Sequence, residues 1–160
     1  MAEKNRQFWL MKSEPDEFSI TDLGRVGAEP WTGVRNYQAR NFMWRLMKVG
    51  DGVFFYHSNC TIPGIVGLAT VASTPYPDPT QFVATSDYYD PKSTPEEPRW
   101  WLVDIGFERA LKRTISLDDI RGHAEALDDF ALLRRGNRLS VLPVTSAQWK
   151  HILSLENKAP

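Results

Sequence analysis

Residues 49–73 read VGDGVFFYHSNCTIPGIVGLATVAS. Within them Val53–His57, a run of aromatic and β-branched residues after a Gly50-Asp51-Gly52 turn signal, predicts a strand. Residues 64–73 predict a second, with glycines that suggest a bend or bulge. Working outward, QFWLMK (7–12) gives a short apolar run before Ser13. At 101–108, Trp101, Val103, Ile105 and Phe107 alternate with Leu102, Asp104, Gly106 and Glu108, the two-residue period of a strand. LSVLPV (139–144) makes a last strand, with Pro143 favouring an edge or a strand end.

Helices fill the gaps. Ala39, Phe42, Met43, Leu46 and Met47 keep one helical face, which predicts an amphipathic helix over 36–48 with Asn36 as its N-cap. Ser19 with Asp22, Ser116 with Asp119 and Thr145 with Gln148 resemble N-terminal capping signals, the last for a helix packing Trp149, Ile152 and Leu153. Thr74–Pro98 holds six of the eleven prolines and reads as one long loop, a length usually functional or partly disordered. Strands outnumber helices without regular alternation. The fold class is therefore α+β with a mainly antiparallel, barrel-like sheet, and 1–160 is taken as a single domain.

Composition bounds the function. With 42% hydrophobic and 24% charged residues the chain of 160 is an ordinary globular protein. No apolar run approaches the roughly 20 residues of a membrane helix. The single cysteine, Cys60, has no internal disulfide partner. No metal-ligand spacing and no Gly-rich nucleotide loop occur, so neither a metal nor a cofactor is expected. The net charge is −1. Any grip on phosphate must come from a local patch rather than a global basic field. Aromatic residues reach 12%, with six tryptophans, most expected in the core and one or two left to face a ligand.

Four polar clusters stand out. WTGVRNYQARN (31–41) opens with an indole, turns at Gly33 and enters the helix through Arg35 and Asn36. Trp31 could stack a base while its polar neighbours read an edge or hold a phosphate, or it could be core while they cap the helix. Lys12-Ser13-Glu14-Pro15 leaves a strand end, where such residues line a pocket mouth or make a solvated turn. Tyr56-His57-Ser58-Asn59-Cys60 invites a hydrolase or nuclease reading through His57, Ser58 or Cys60, with Asp51 or Asp104. Against it, adjacent strand residues point to opposite faces. Arg134-Arg135-Gly136-Asn137-Arg138 is a basic run suited to phosphate or to a solvated turn.

FWLMKSEPDEFSITDL (8–23), WTGVRNYQARNFM (31–43), VGDGVFFYHSN (49–59), PGIVGLATV (63–71), YYDPKS (88–93), PRWWLVDI (98–105), ISLDDI (115–120) and LLRRGNRLSVLPVT (132–145) together resemble the EVE domain family, within the PUA-like superfamily. The resemblance spans nearly the whole chain. It implies a PUA-like β-barrel flanked by short helices. It also implies a non-catalytic module whose pocket reads one modified base, such as methylated or hydroxymethylated cytosine, in DNA or RNA.

On that resemblance Lys12, Ser13 and Glu14 line the pocket beside Trp31, and Tyr56, His57, Ser58 and Asn59 form its floor. Tyr89 and Asp90, in the Tyr88-Tyr89-Asp90 loop, supply a lid or second wall, while Arg35, Asn36 and Arg138 hold the flanking backbone. Nuclear members often carry a basic tail that this sequence lacks, so the expectation is a free-standing cytoplasmic protein, monomeric and without a membrane partner. The rival readings are the small hydrolase above and a protein-interaction scaffold.

Overall fold

The structure, a computed structural model, describes residues 6–159. Strand β1 (Phe8–Ser13) lies parallel to β3 (Gly52–His57), pairing Phe8 with Gly52 and Ser13 with His57. Its other edge pairs antiparallel with β8 (Val141–Val144). Strand β4 (Gly64–Val71) returns antiparallel on β3, and the long β7 (Asp104–Ser116) runs antiparallel on β4. A short strand missed by the sequence reading, β2 (Ala28–Pro30), closes the far edge on β7. The six strands follow the order β2-β7-β4-β3-β1-β8, so the sheet is mixed and mainly antiparallel. It is a curled half-barrel; β2 and β8 are its two edges and are not neighbours in the ladder. Pro143 accordingly sits on an edge strand, where a missing N–H costs least.

Both faces of the sheet are covered, which is why β1 and β3 read as continuous apolar runs rather than alternating ones. Trp9, Met11, Val53 and Phe55 point into one core with Leu23, Trp31 and Met43. Leu10, Phe54 and Tyr56 point into the other with Phe130, Trp149 and Ile152. The predicted bulge in β4 is present, with register shifts between Ile65 and Gly67 and between Leu68 and Ala69. At Gly67 the helix α1 (Ile20–Val26) approaches so closely that a Cβ would meet the Ile20 side chain.

All three capping signals form. Ser19 and Thr145 make reciprocal capping boxes at α1 and α4 (Ser146–Ser154), and Ser116 caps α3 (Leu117–Gly122). The amphipathic segment 36–48 is not one α-helix. A single turn, α2 (Tyr37–Asn41), capped by Asn36, passes into a wider π-turn over Phe42–Leu46. Ala39, Met43 and Met47 still face the core. The alternation expected at 101–108 fails at its start. Leu102 and Val103 are both fully buried because β6 (Trp101–Leu102) belongs to a separate two-stranded ladder with β5 (Tyr76–Pro77). Phe107, expected on the same face as buried Val103 and Ile105, is 37% exposed and lies over Gly24.

The proline-rich stretch is an ordered strap rather than a plain loop. Buried Gln81 donates to the carbonyls of Asp78 and Trp100, and its Oε1 accepts from Ser93 and from the N–H groups of Arg99 and Trp100. One side chain thus fastens both ends of the strap, satisfying backbone groups that would otherwise be buried unpaired.

Candidate functional site

A cleft of about 430 Å³ opens at the C-terminal end of β1. One side is Lys12, Ser13 and Glu14 with Glu17 and Phe18 from the following turn; the other is the segment Glu29–Arg35, with Tyr88 above it. Ser58, Arg138 and Ser140 complete the mouth. Trp31 belongs to both readings at once. Its side chain is part of the core, with the residue only 8% exposed and the ring edge-on to Phe55 at 5.6 Å, yet it also lines the cleft. Its backbone N–H donates to the Val103 carbonyl, and burial of the ring against Phe55 makes the indole a fixed wall.

The rim is held by local hydrogen bonds. The Ser13 hydroxyl donates to the Phe18 carbonyl at 2.6 Å, and the Ser58 N–H donates to the Ser13 carbonyl. The Glu14 carboxylate accepts from the Asn59 amide, so Asn59 stays outside the cleft and acts by aiming Glu14. Lys12 has its Nζ 5.8 Å from the Tyr56 ring, and burial lowers its pKa. Among the described residues no carboxylate forms an ion pair with it. Carboxylates of Glu14, Glu17 and Glu29 and cations of Lys12, Arg35 and Arg138 thus share one cleft, giving acceptors and donors with little net charge.

The opposite wall turns on Gly33, whose φ of +87° suits glycine. A Cβ there would stand 2.7 Å from the Tyr88 ring. Buried Asp78 accepts from the Gly33 N–H at 2.8 Å and from Arg35 at 3.1 Å. Arg35 further donates to the Val34 carbonyl, to the Thr80 hydroxyl and twice to the Tyr88 carbonyl. This corrects the role expected for Arg35: its guanidinium spends its donors tying the strap to the 31–35 turn, and it positions Tyr88 rather than reaching for phosphate.

Other expected site residues fall elsewhere. Asn36 is the α2 cap, accepting from the Ala39 N–H at 3.0 Å, and does not line the cleft. Tyr56 is 3% exposed in the opposite core, and burial raises its pKa. His57 Nε2 accepts from the Ile20 N–H at 3.1 Å, and burial lowers its pKa, so it is a neutral histidine docking the start of α1. Tyr89 is exposed away from the cleft, and Asp90 accepts from the Trp100 indole N–H; Tyr88 is the residue of that loop that reaches the site.

The acid and base groups of the hydrolase reading are dispersed. Asp51 is buried at the opposite end of β3 from His57, accepting from Trp9, Gln7 and Lys48, and Asp104 accepts from Tyr76. No group of three or more His, Cys, Asp or Glu side chains suited to a metal occurs among the described residues. Glu17, Phe18, Glu29, Pro30 and Ser140 line the cleft without having been singled out. For Glu17 and Phe18 a signal existed in the four-residue turn after Ser13; for Glu29 and Ser140 only the sheet order reveals it.

A sequence model of the family described as EVE domain matches residues 7–155. Mouse thymocyte nuclear protein 1 is 45% identical, over 96% of this chain and 75% of its own. A crystal structure of a Pseudomonas syringae protein is 50% identical, covering 93% of this chain and 99% of that one, with a TM-score of 0.89. The human THYN1 protein in complex with 5-methylcytosine-containing DNA superposes with a TM-score of 0.90 at 43% identity, over 96% of this chain and 99% of that one.

Proposed function

The chain belongs to the EVE domain family, and on that premise we propose that it is a non-catalytic reader that takes one modified base of DNA, of the 5-methylcytosine kind, into the cleft beside Trp31. The observation that carries this is the cleft itself: its volume fits a small ligand, one wall is a locked indole, and its rim mixes carboxylates with a lysine that has no ion-pair partner among the described residues. The human relative bound to 5-methylcytosine-containing DNA supports the choice of ligand.

Reading requires the base to leave its stack, which costs a few kcal/mol. Stacking on an aromatic wall returns about 1–3 kcal/mol. Trp31 presents only part of its surface, so Tyr88, 38% exposed and supported by Gly33 and Arg35, supplies the remaining contact. Cytosine offers an amino donor at N4, which a carboxylate accepts. Glu14, aimed by Asn59, is positioned at the rim for that bond. A methyl group adds only about 0.8 kcal/mol by burial, so preference for the modified base should be several-fold rather than absolute. Engagement of the His57 acceptor by the α1 backbone supports binding without chemistry.

Calorimetric titration with short DNA and RNA oligonucleotides carrying cytosine or 5-methylcytosine tests this. Tighter binding of the methylated DNA, weakened in Trp31→Phe with the fold intact, is expected. Equal affinity for every oligonucleotide, unchanged in the variant, would end the reading.

A further inference from the structure

A second feature begins where the cleft ends. Arg35, at the cleft wall, has its guanidinium carbon 5.5 Å from the Tyr88 ring and 5.2 Å from the Trp100 ring. Trp100 stacks on Tyr37 at 4.8 Å with the planes 17° apart. Arg40 lies over Tyr37 at 4.6 Å and over Trp44 at 5.2 Å. Trp44 in turn stacks on Trp101 at 4.8 Å and 7°, and Arg45 covers its ring at 3.8 Å. Stacked rings and guanidinium groups therefore form one continuous row from the cleft, across α2 and the π-turn, to the Trp44–Trp101 pair.

Three observations say what this row is for. Beyond buried Trp100 it is not core: Tyr37 is 51% exposed, Arg45 is exposed, and Trp44 and Trp101 are half-buried. Its far half is positive: neither Arg40 nor Arg45 forms an ion pair with a carboxylate among the described residues, and Arg40 is aimed by bonds to the Arg99 carbonyl and the Asn41 side chain. Burial lowers the Arg40 pKa, opposed in part by Tyr37 and helped by the neighbouring Arg45 charge, although the chain as a whole carries −1. A protein with no global basic field has gathered unneutralised guanidinium groups onto a strip of aromatic faces. Phosphates meet such groups as counter-charges, and bases or sugars meet the rings.

The geometry points to a flanking-nucleotide subsite: the DNA strand that delivers its base to the cleft runs along the Tyr37–Arg40–Trp44–Arg45 row on one side of that base. The subsite rests on the reader assignment for its polarity, because the cleft fixes where the strand starts. The row acts on any sequence, since every base has a stacking face, and leaves discrimination of the methyl group to the cleft.

Fluorescence anisotropy with 5-methylcytosine and cytosine duplexes of equal length, across a salt series, tests it. Trp44→Ala, which removes the ring on which Arg40 and Arg45 lie, should weaken both duplexes about 2- to 5-fold, the span of one exposed cation–π contact. Arg45→Gln, an exposed change that leaves the Trp44–Trp101 pair in place, should lower the slope of log affinity against log salt by about 1. The ratio between methylated and unmethylated duplex should stay at the wild-type value in both. Wild-type affinity and slope in both folded variants would overturn the subsite while leaving the reader standing. A wild type that binds both duplexes equally would remove the base reading but not the row, if the variants still weaken binding. No DNA binding by the wild type would remove both.

Discussion

At the scale of single residues, Trp31, Gly33 and His57 show how position decides role. Trp31 is wall and core together, so its loss has two consequences. Trp31→Ala should destabilise the protein by about 3–5 kcal/mol through the cavity left against Phe55, whereas Trp31→Phe keeps most of that packing. Denaturant unfolding of the two variants separates the effects, and equal stability would show that the indole is not part of the core. Gly33→Ala places a side chain at positive φ and against Tyr88, at a cost of about 1–2 kcal/mol. For a chain of this size that corresponds to a fall in Tm of about 2–8 °C by calorimetry. Displacement of Tyr88 should weaken oligonucleotide binding in the same variant.

His57 gives a pH signature. Its pKa is lowered from 6.5 on folding, so the unfolded chain takes up the proton first. Its contribution is complete above about pH 6.5 and is lost as pH falls below it, where protonation removes the acceptor that Ile20 needs. His57→Gln should flatten that part of the stability-against-pH curve; an unaltered curve would place the titration elsewhere.

At the scale of elements, the ends of the chain show how tertiary contacts fix what propensity leaves loose. The last described turn, Leu155–Asn157, is a single 3-10 turn with no side-chain cap of its own. It is held because buried Glu156 accepts both forks of Arg109, at 2.7 and 2.9 Å, and the Lys112 N–H at 2.7 Å, all from β7. The Arg109 bonds, with the Lys112 N–H, bring the Glu156 pKa down from 4.5 to about 2. The sign follows directly: the unfolded chain takes the proton first as pH drops, so this clamp contributes fully above about pH 4.5 and is lost between there and about pH 2. Glu156→Gln should be less stable at neutral pH and show a shallower acid limb in thermal melts from pH 5 to 2. The strap obeys the same logic. Gln81→Leu removes the acceptor shared by Ser93, Arg99 and Trp100 and should loosen residues 78–100 before the sheet, read as faster amide exchange there than in β3 and β4.

At the scale of the whole molecule, one sheet buried on both faces carries a cleft at one strand end, with an aromatic–guanidinium row leading away from it. Much of this was written locally. The strands at 53–57 and 64–73 (the second ending at Val71), the bulge near Gly67, the three caps and the edge position of Pro143 all follow from periodicity, glycine placement and side-chain chemistry within a few residues. So did the presence of Lys12, Ser13, Glu14 and Trp31 as candidates, because an indole before a glycine turn and a polar strand exit are local patterns. What local chemistry could not supply was which distant segments meet. The parallel pairing of β1 with β3 and the splitting of 101–108 at Val103 depend on neighbours far away in the chain. Arg35 looked like a phosphate ligand until Asp78, 43 residues on, claimed it. Tyr88, not Tyr89, reaches the cleft, its ring packed against Gly33 where any side chain would clash with it. Tyr37, Arg40 and Trp44 share a helical face that could have been read at 37–44, yet their stacking partners Trp100 and Trp101 arrive from the other side of the strap. Sequence sets the conformational preference of each segment because that energy is spent within a turn or a strand; the site is decided by tertiary structure because a cleft is made of surfaces that segments do not possess until they are packed together.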